Sequence, residues 1–275
     1  MSALEDHTLL YDADCPMCRI YTGAFVKHGW LDQQGRQPFQ QLPEGWKATL
    51  DEERAQSEIA LINHKTKEVS YGIDALFRII ANKLPLFTPL FAARWFRWII
   101  QRLYFFISYN RKVIAAVKPS AGLRECVPSY NIKYRVAYLV FAWLFTSLIL
   151  TNYAAFMVGI VPAGNFYREF LVCGGQIVFQ GIVTGLMATG KRMDYLGNMM
   201  TVSVIGALLL LPAFLLHWLL PALPTAGFVA YFLLVAGIML LEHMRRCKLL
   251  RLGLLPSLSW VGYRLLVLAV ISILN

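Results

Sequence analysis

The feature that most constrains this chain is the series of long apolar segments that fills its C-terminal half. A helix that crosses a bilayer needs about 20 predominantly apolar residues. Five segments meet this need: 136–159, 170–188, 199–217, 226–241 and about 254–274. Only 15% of the 275 residues are charged, whereas soluble domains have about 25%. The sequence therefore predicts an integral membrane protein with an all-α transmembrane bundle of about five spans over residues 136–275.

Basic residues between the predicted spans indicate how the bundle is oriented. The loop at 190–198 carries two of them and the loop near 243–251 carries four, whereas the loops at 160–169 and 218–225 share a single arginine. Since basic loops stay on the cytoplasmic side, the pattern predicts a cytoplasmic N-terminal domain and a C-terminus outside. We expect a bacterial inner-membrane location. The first residues lack a basic leader before an apolar run, which predicts no cleavable signal peptide.

The net charge of +10 raises nucleic-acid binding as an alternative. However, the basic residues cluster beside apolar segments, as at 191–192 and 245–251, where membrane topology already accounts for them. The sequence therefore predicts no nucleic-acid partner.

One predicted span carries a line of polar residues. Four of them recur at three- and four-residue spacing and share one helix face: Cys173, Gln176, Gln180 and Thr184. Hydrogen bonding between helices is the favoured interpretation, because polar side chains commonly hold membrane helices together. Contact with an intramembrane ligand such as a quinone is the alternative.

Residues 84–116 are aromatic and basic rather than uniformly apolar. Arg94, Arg97 and Gln101 fall on one narrow helical stripe, and aromatic and aliphatic residues cover the rest of the helix. This composition predicts an amphipathic helix at the membrane interface. The alternative is a helix that packs on the N-terminal domain with a solvated basic edge. Residues 117–135 are predicted to be a linker.

Two cysteines stand three positions apart in "HTLLYDADCPMCRIYTGAF", residues 7–25. The pattern predicts a strand at 7–11, then a turn, then a helix in which Pro16 occupies the first turn. Cys15 would stand at the helix start, where free N–H groups and the helix dipole stabilise a thiolate. Cys18 would follow one turn later on the same face. The pair therefore predicts a dithiol redox site in which an accessible Cys15 attacks and Cys18 resolves.

Two other interpretations of the pair remain open. Half of a zinc site would need a second ligand pair at short range, and none follows in the sequence. The pair could also be inert. We therefore expect neither a metal nor a cofactor.

The remaining polar part of the chain predicts a small α/β domain. A strand is expected at 36–42, a hairpin at 57–72 and a helix at 73–84. This order of elements is typical of a thioredoxin-like fold, with its core in residues 1–83.

Several of these motifs resemble one family. "YDADCPMC" is similar to the YDGDCPxC signature of the DCC family of thiol–disulfide oxidoreductase-like proteins, and "YGIDALFRII" and "YNRKVIA" also resemble its pattern. The resemblance covers about residues 7–116. It implies a thioredoxin-like fold with Cys15 and Cys18 as the redox pair, flanked by Asp12 and Asp14. Ala13 stands where the family usually has glycine.

Two functions follow as hypotheses. The first is a membrane-tethered thiol–disulfide oxidoreductase at the cytoplasmic face, which acts on protein thiols or disulfides and has a membrane protein partner. The second is a non-enzymatic membrane component whose redox-sensing or vestigial domain binds lipid or a protein partner. An electron conduit across the membrane is disfavoured, since a dithiol relay needs further cysteine pairs. Asp12 is expected to be a surface carboxylate that holds the turn.

Overall fold

The structure is a computed structural model that describes residues 3–42, 44–46, 49–118, 126, 130–162, 165–187, 189–220 and 223–274. Its contacts divide the chain into two compact units, Met1–Tyr134 and Arg135–Asn275. The elements of the first unit, in chain order, are β1 (His7–Tyr11), α1 (Pro16–Lys27), β2 (Arg36–Pro38), α2 (Glu52–Ser57), β3 (Ala60–Asn63), β4 (Val69–Tyr71), α3 (Gly72–Lys83), α4 (Thr88–Ala92) and α5 (Arg94–Ile114).

The described strands of this unit form one mixed sheet in the order β2-β1-β3-β4. β1 runs parallel to β2 and antiparallel to β3, with Leu9 opposite Leu61, and β3 pairs antiparallel with β4. The parallel β1–α1–β2 connection followed by the β3–β4 hairpin and α3 confirms the predicted thioredoxin-like α/β fold. β2 is shorter than the predicted strand at 36–42, because the chain turns into a 3-10 helix directly after Pro38.

Alternating side chains of the strands build a core on each face of the sheet. Leu9 and Leu61 pack with residues of α1 and α3 on one face. Leu10 and Ile62 pack with Phe39 and residues around α2 on the other. This packing anchors the loop between β1 and α1, because the loop leaves the end of an inner strand of the sheet.

Helix α5 has two different halves. In its C-terminal half, Ser108 and Arg111 are buried within the first unit. In its N-terminal half, Trp95, Trp98 and Leu103 are exposed. The packed-helix interpretation therefore describes the second half, and a membrane-interface role for the first half stays a prediction.

The C-terminal half of the chain is helical. Its helices are α6 (Ile132–Ala154), α7 (Arg168–Met187), α8 (Arg192–Leu219), α9 (Thr225–Leu249) and α10 (Leu255–Leu274). In the described part of the chain, five helices are long and apolar enough to cross a membrane, which supports an integral membrane protein. The most buried of them is α8, and it contacts α9 so closely that the Met239 side chain occupies the place of a Cβ at Gly206.

Candidate functional site

Cys15 caps the N-terminus of α1. Its backbone is extended, its N–H donates to the Asp12 carbonyl at 3.2 Å, and its Sγ accepts from the backbone N–H of Cys18 at 3.5 Å. Pro16 follows at the first turn, where a missing N–H costs no helical hydrogen bond. The Cys15 sulfur therefore lies at the helix start, close to the free N–H groups of the first turn.

The two thiols differ in acidity. Hydrogen bonding from the Cys18 side chain, followed by the Cys18 backbone N–H and the positive charge of Arg111, lowers the pKa of Cys15 to about 6 against the opposing effect of burial. The hydrogen bond to Cys15 and burial raise the pKa of Cys18 far above its ordinary value. At neutral pH this arrangement favours a Cys15 thiolate beside a protonated Cys18.

Both cysteines are covered, which contradicts the expected accessible first thiol. Cys15 is 4% exposed and Cys18 is 7% exposed. The adjoining surface is a shallow groove of about 310 Å³ whose lining includes Pro16, the neighbour of Cys15, and the exposed Ile20. The pair is covered because the end of α5 packs close to it: the buried Arg111 lies near enough for its charge to act on the pKa of both thiols.

Asp12 was expected at the surface and is instead buried, with 4% of it exposed. Its Oδ1 accepts from the Asp14 N–H at 3.0 Å and from Gln40 Nε2 at 2.8 Å, so it does hold the turn. Its Oδ2 lies 3.4 Å from Arg111 Nε. The expectation was wrong because the 3-10 helix after β2 and the end of α5 fold over this carboxylate.

The turn accommodates alanine where the family motif has glycine. The φ angle of Ala13 is not positive, so its Cβ does not suffer the strain that a side chain has in the left-handed region. Its N–H donates to Gln40 Oε1 at 3.1 Å. Gln40 therefore satisfies both a backbone donor and the Asp12 carboxylate at this turn.

A buried positive charge, Arg111, lies close to the cysteine pair. Its guanidinium donates to the Ser57 carbonyl at 3.2 Å, to the Gln56 carbonyl at 2.6 Å and to Cys126 Sγ at 3.3 Å. Burial opposes its charge, but Cys126, Asp12 and the sulfurs of Cys18 and Cys15 raise its pKa. Burial in turn raises the pKa of Cys126 to about 12, which keeps this third thiol protonated.

Sequence reasoning missed three members of this site: Gln40, Arg111 and Cys126. Arg111 lay within "YNRKVIA", one of the stretches that carried the family resemblance, and that was its signal. Nothing in the local pattern marked Gln40 or Cys126, because both reach the site through tertiary packing. Asp14, which the sequence analysis placed next to the cysteine pair, is buried.

The intramembrane polar residues lie on the buried face of α7: Cys173, Gln176, Gln180 and Thr184. Gln180 is fully engaged, since its Oε1 accepts from Tyr195 at 2.8 Å and its Nε2 donates to Ser259 at 3.1 Å. Thr184 donates to the Gln180 carbonyl of its own helix at 2.6 Å. For Gln180, these contacts are of the interhelical kind that the sequence favoured.

Comparisons with known proteins bear on the first unit. Residues 9–116 match the family model described as DCC1-like thiol-disulfide oxidoreductase. A search of curated proteins and a search of solved structures found no significant match. The matched range contains the cysteine pair, the last three residues of β1, the other three described strands and the Arg111 segment. The N-terminal part of this membrane protein, over residues 9–116, is therefore a DCC1-like thiol-disulfide oxidoreductase domain.

Proposed function

We propose that this protein is a membrane-tethered thiol–disulfide oxidoreductase that works through Cys15 and Cys18. The observation that carries the proposal is the asymmetry between the two thiols: Cys18 donates to Cys15 and the pKa of Cys15 falls to about 6. A dithiol enzyme needs this division, since one sulfur must attack as a thiolate while the other waits as a thiol.

The reaction runs in two exchange steps. The Cys15 thiolate attacks one sulfur of a substrate disulfide; a bond forms between them, and the other substrate sulfur leaves as a thiolate and takes up a proton. Cys18 then loses its proton and attacks the Cys15 sulfur, which releases the second substrate thiol. The substrate gains two electrons and the protein keeps a Cys15–Cys18 disulfide. An external dithiol reductant restores the starting state by the reverse steps.

Arg111 and Asp12 act as positioning residues for this chemistry. Asp12 fixes the turn that presents Cys15, through its contacts with Asp14 and Gln40. Arg111 balances the buried Asp12 carboxylate and adds a positive charge that favours the Cys15 thiolate. Arg111 therefore lowers the Cys15 pKa against the opposing charge of Asp12, and the two side chains together hold the turn in place.

The partners we propose are protein thiols or disulfides, a membrane protein partner and membrane lipid, and not nucleic acid. The groove beside Pro16 and Ile20 supports a peptide substrate, since it offers exposed apolar contact next to the reactive sulfur. The loops at 190–198 and 243–251, which carry two and four Lys or Arg residues, support a cytoplasmic position for the domain. A bacterial inner membrane is the location in which we place it.

The test is trapping of mixed disulfides by the full chain in detergent. Cys15→Ser should abolish exchange with a small aromatic disulfide such as dithiobis-nitrobenzoate. Cys18→Ser should leave a reactive Cys15 that accumulates mixed disulfides. Cys173→Ser, in the membrane unit, serves as the control and should match the unaltered chain. Faster alkylation of Cys18 than of Cys15 at neutral pH would reverse the roles, and stoichiometric zinc binding would contradict the redox assignment.

The second function is a non-enzymatic membrane component with a redox-sensing or vestigial domain. The burial of both sulfurs favours it, because a covered thiol exchanges slowly with large disulfides. The same trapping experiment separates the two. A sensor would form the Cys15–Cys18 disulfide with small oxidants yet capture no protein through the Cys18→Ser variant.

A further inference from the structure

Arg264 places a positive charge near the middle of an apolar helix. It lies about halfway along α10 (Leu255–Leu274), so each end of the helix is about 14 Å away at 1.5 Å per residue. Within the part of the chain that the structure describes, no carboxylate pairs with it: Glu169, on the adjacent helix α7, is bound to Arg168 at 2.8 Å. A charge at this depth is costly and by default marks a functional site.

The guanidinium is held in place rather than directed toward the membrane surface. Arg264 Nε donates to Gln176 Oε1 at 3.0 Å, and its Cζ lies 5.0 Å from the centre of the Trp260 ring. His243 also stacks on the Trp260 ring, with the two ring centres 5.4 Å apart. These contacts use Nε and one face of the guanidinium, and the two terminal amino groups have no hydrogen-bond partner among the described residues.

Gln176 adds a second set of donors that lacks a partner. The residue is 2% exposed, and its Nε2 makes no hydrogen bond within the described chain. The oxygen and nitrogen of the Gln176 amide cannot exchange places, because Nε2, a donor, would then face the Nε–H donor of Arg264. Nε2 therefore belongs to the same amide group whose Oε1 accepts the hydrogen bond from Arg264 Nε. A buried donor left without a partner costs free energy unless a ligand satisfies it.

Trp260 supplies a third donor at the same place. It is 5% exposed, and its Nε1 has no hydrogen-bond partner among the described residues. α7 and α10 are fixed against each other here, since the Tyr263 hydroxyl donates to the Val172 carbonyl at 2.9 Å and occupies the place of a Cβ at Gly175. The cluster is thus a preformed set of donors, several of which find no acceptor among the residues that the structure describes.

We propose that Arg264, Gln176 and Trp260 bind the oxyanion of an acyl-chain amphiphile, a carboxylate or a phosphate, within the membrane unit. A planar guanidinium with both amino groups available pairs with two oxygens of such a group at once. The exposed Leu265 and Leu266 beside it offer an apolar surface for the chain. A neutral carbonyl compound would satisfy the hydrogen bonds but not the charge.

The test is binding of palmitate to the purified full chain in a non-ionic detergent, measured by calorimetric titration. Arg264→Gln should weaken binding at least about tenfold, because charge-assisted hydrogen bonds are lost. Arg251→Gln removes one positive charge from the same unit and should leave binding unchanged. Methyl palmitate, which has the same chain without the charge, should bind at least about tenfold more weakly than palmitate.

Trp260→Phe keeps the proposal testable if Arg264→Gln fails to fold. The phenyl ring keeps an aromatic contact with His243 and Arg264, but the substitution removes part of the buried indole volume together with the unpartnered N–H, so the melting temperature should fall modestly while the chain stays folded. Palmitate binding should nevertheless weaken severalfold. A merely structural role would leave binding unchanged in this variant.

Competition with phosphatidylglycerol distinguishes the two sources of the oxyanion. Displacement of palmitate by this lipid assigns the site to a phospholipid phosphate, and failure to displace it assigns the site to a fatty-acid carboxylate. Equal binding of palmitate and methyl palmitate would overturn the proposal. So would palmitate binding that is equally tight in Arg264→Gln and in the unaltered chain.

Discussion

Arg111, near the end of α5, places its Nε 3.4 Å from the Oδ2 of Asp12, the carboxylate that opens the turn before Cys15. Both side chains are buried, and Lys112 Nζ approaches the same oxygen at 3.7 Å. The last turns of α5 are therefore part of the site around the cysteine pair. This explains why the domain needs a segment that, by composition, belongs with the membrane-associated part of the chain.

Replacing Arg111 with methionine should damage both stability and reactivity. The Asp12 carboxylate would stay buried with Lys112, at 3.7 Å, as its remaining cation, and loss of one partner from a buried pair costs up to about 3–5 kcal/mol. The pKa of Cys15 should rise, because the Arg111 charge lowers it. Thermal unfolding of the N-terminal domain within the full chain and the rate of Cys15 alkylation at pH 7 measure the two effects.

Arg94→Met is the matched control for that variant. Arg94 stands at the exposed start of the same helix, so its replacement removes one positive charge without touching the site. Its unfolding temperature and Cys15 alkylation rate should match the unaltered chain. Equal effects of the two substitutions would show that Arg111 acts only through net charge.

The reactivity of Cys15 should follow pH with a midpoint near 6, the value to which its pKa is lowered. Since the thiolate is the nucleophile, alkylation by iodoacetamide should rise with pH through this point and level off by about pH 7. Cys18→Ala removes the principal hydrogen-bond donor and should move the midpoint upward. Cys18→Ser keeps a hydroxyl donor and should move it less. Identical midpoints in both variants would contradict the hydrogen-bond explanation.

The same shift makes the reduced protein more stable as the pH rises from about 6. A thiol with a depressed pKa binds fewer protons in the folded than in the unfolded state, so the stability it contributes grows with pH toward the ordinary thiol value. This contribution is lost as the pH falls through 6. The unfolding temperature of Cys15→Ser should therefore lack this component of the pH dependence.

Local sequence patterns were sufficient for the elements around the cysteines. The strand at 7–11, the helix start at Cys15 and the hairpin depend on residue alternation, capping and turn chemistry within a few positions. The structure has the first two where they were predicted, and its hairpin spans 60–71 rather than 57–72 because α2 continues to Ser57. The Arg111–Asp12 pair and the burial of Cys15 depend on α5 folding back over the turn. No periodicity within either segment reveals such a contact, which is why Asp12 was expected at the surface.

In the membrane part, too, the sequence predicted some features and left others open. Hydropathy predicted the number of spanning helices because each must be apolar over its whole length. The spacing of Gln176 and Gln180 predicted a shared face, but not which helix each residue meets. Gln180 bonds to Tyr195 and Ser259, whereas Gln176 receives Arg264 and keeps a donor unused. Partner choice follows from helix packing rather than from spacing.

The N-terminal half of α5 should lie in the membrane interface. Trp95, Trp98 and Ile99 are exposed, and an aromatic, basic helix face suits the headgroup region. A nitroxide at Ile99→Cys should collide more often with oxygen than with a water-soluble nickel chelate. A nitroxide at Gln101→Cys, on the polar stripe, should show the reverse. Water-like values at both positions would mean that this half of the helix is simply solvated.

Orientation is tested by one pair of cysteines placed in loops on opposite sides of the bundle. Tyr167→Cys stands just before α7 at an exposed position, and Gly190→Cys stands between α7 and α8, where a Cβ has open space. The five native cysteines are buried, so the background labelling should be low. Because Lys191 and Arg192 favour the cytoplasmic side, a membrane-impermeant maleimide should label Tyr167→Cys in intact cells. Gly190→Cys should react only after permeabilisation.

The result also decides on which side of the membrane the cysteine pair lies. Since the N-terminal domain precedes the first span, it shares a side with the Gly190 loop. External labelling of Gly190→Cys would therefore place the cysteine pair outside, in an oxidising compartment where the Cys15–Cys18 pair would be expected to rest as a disulfide.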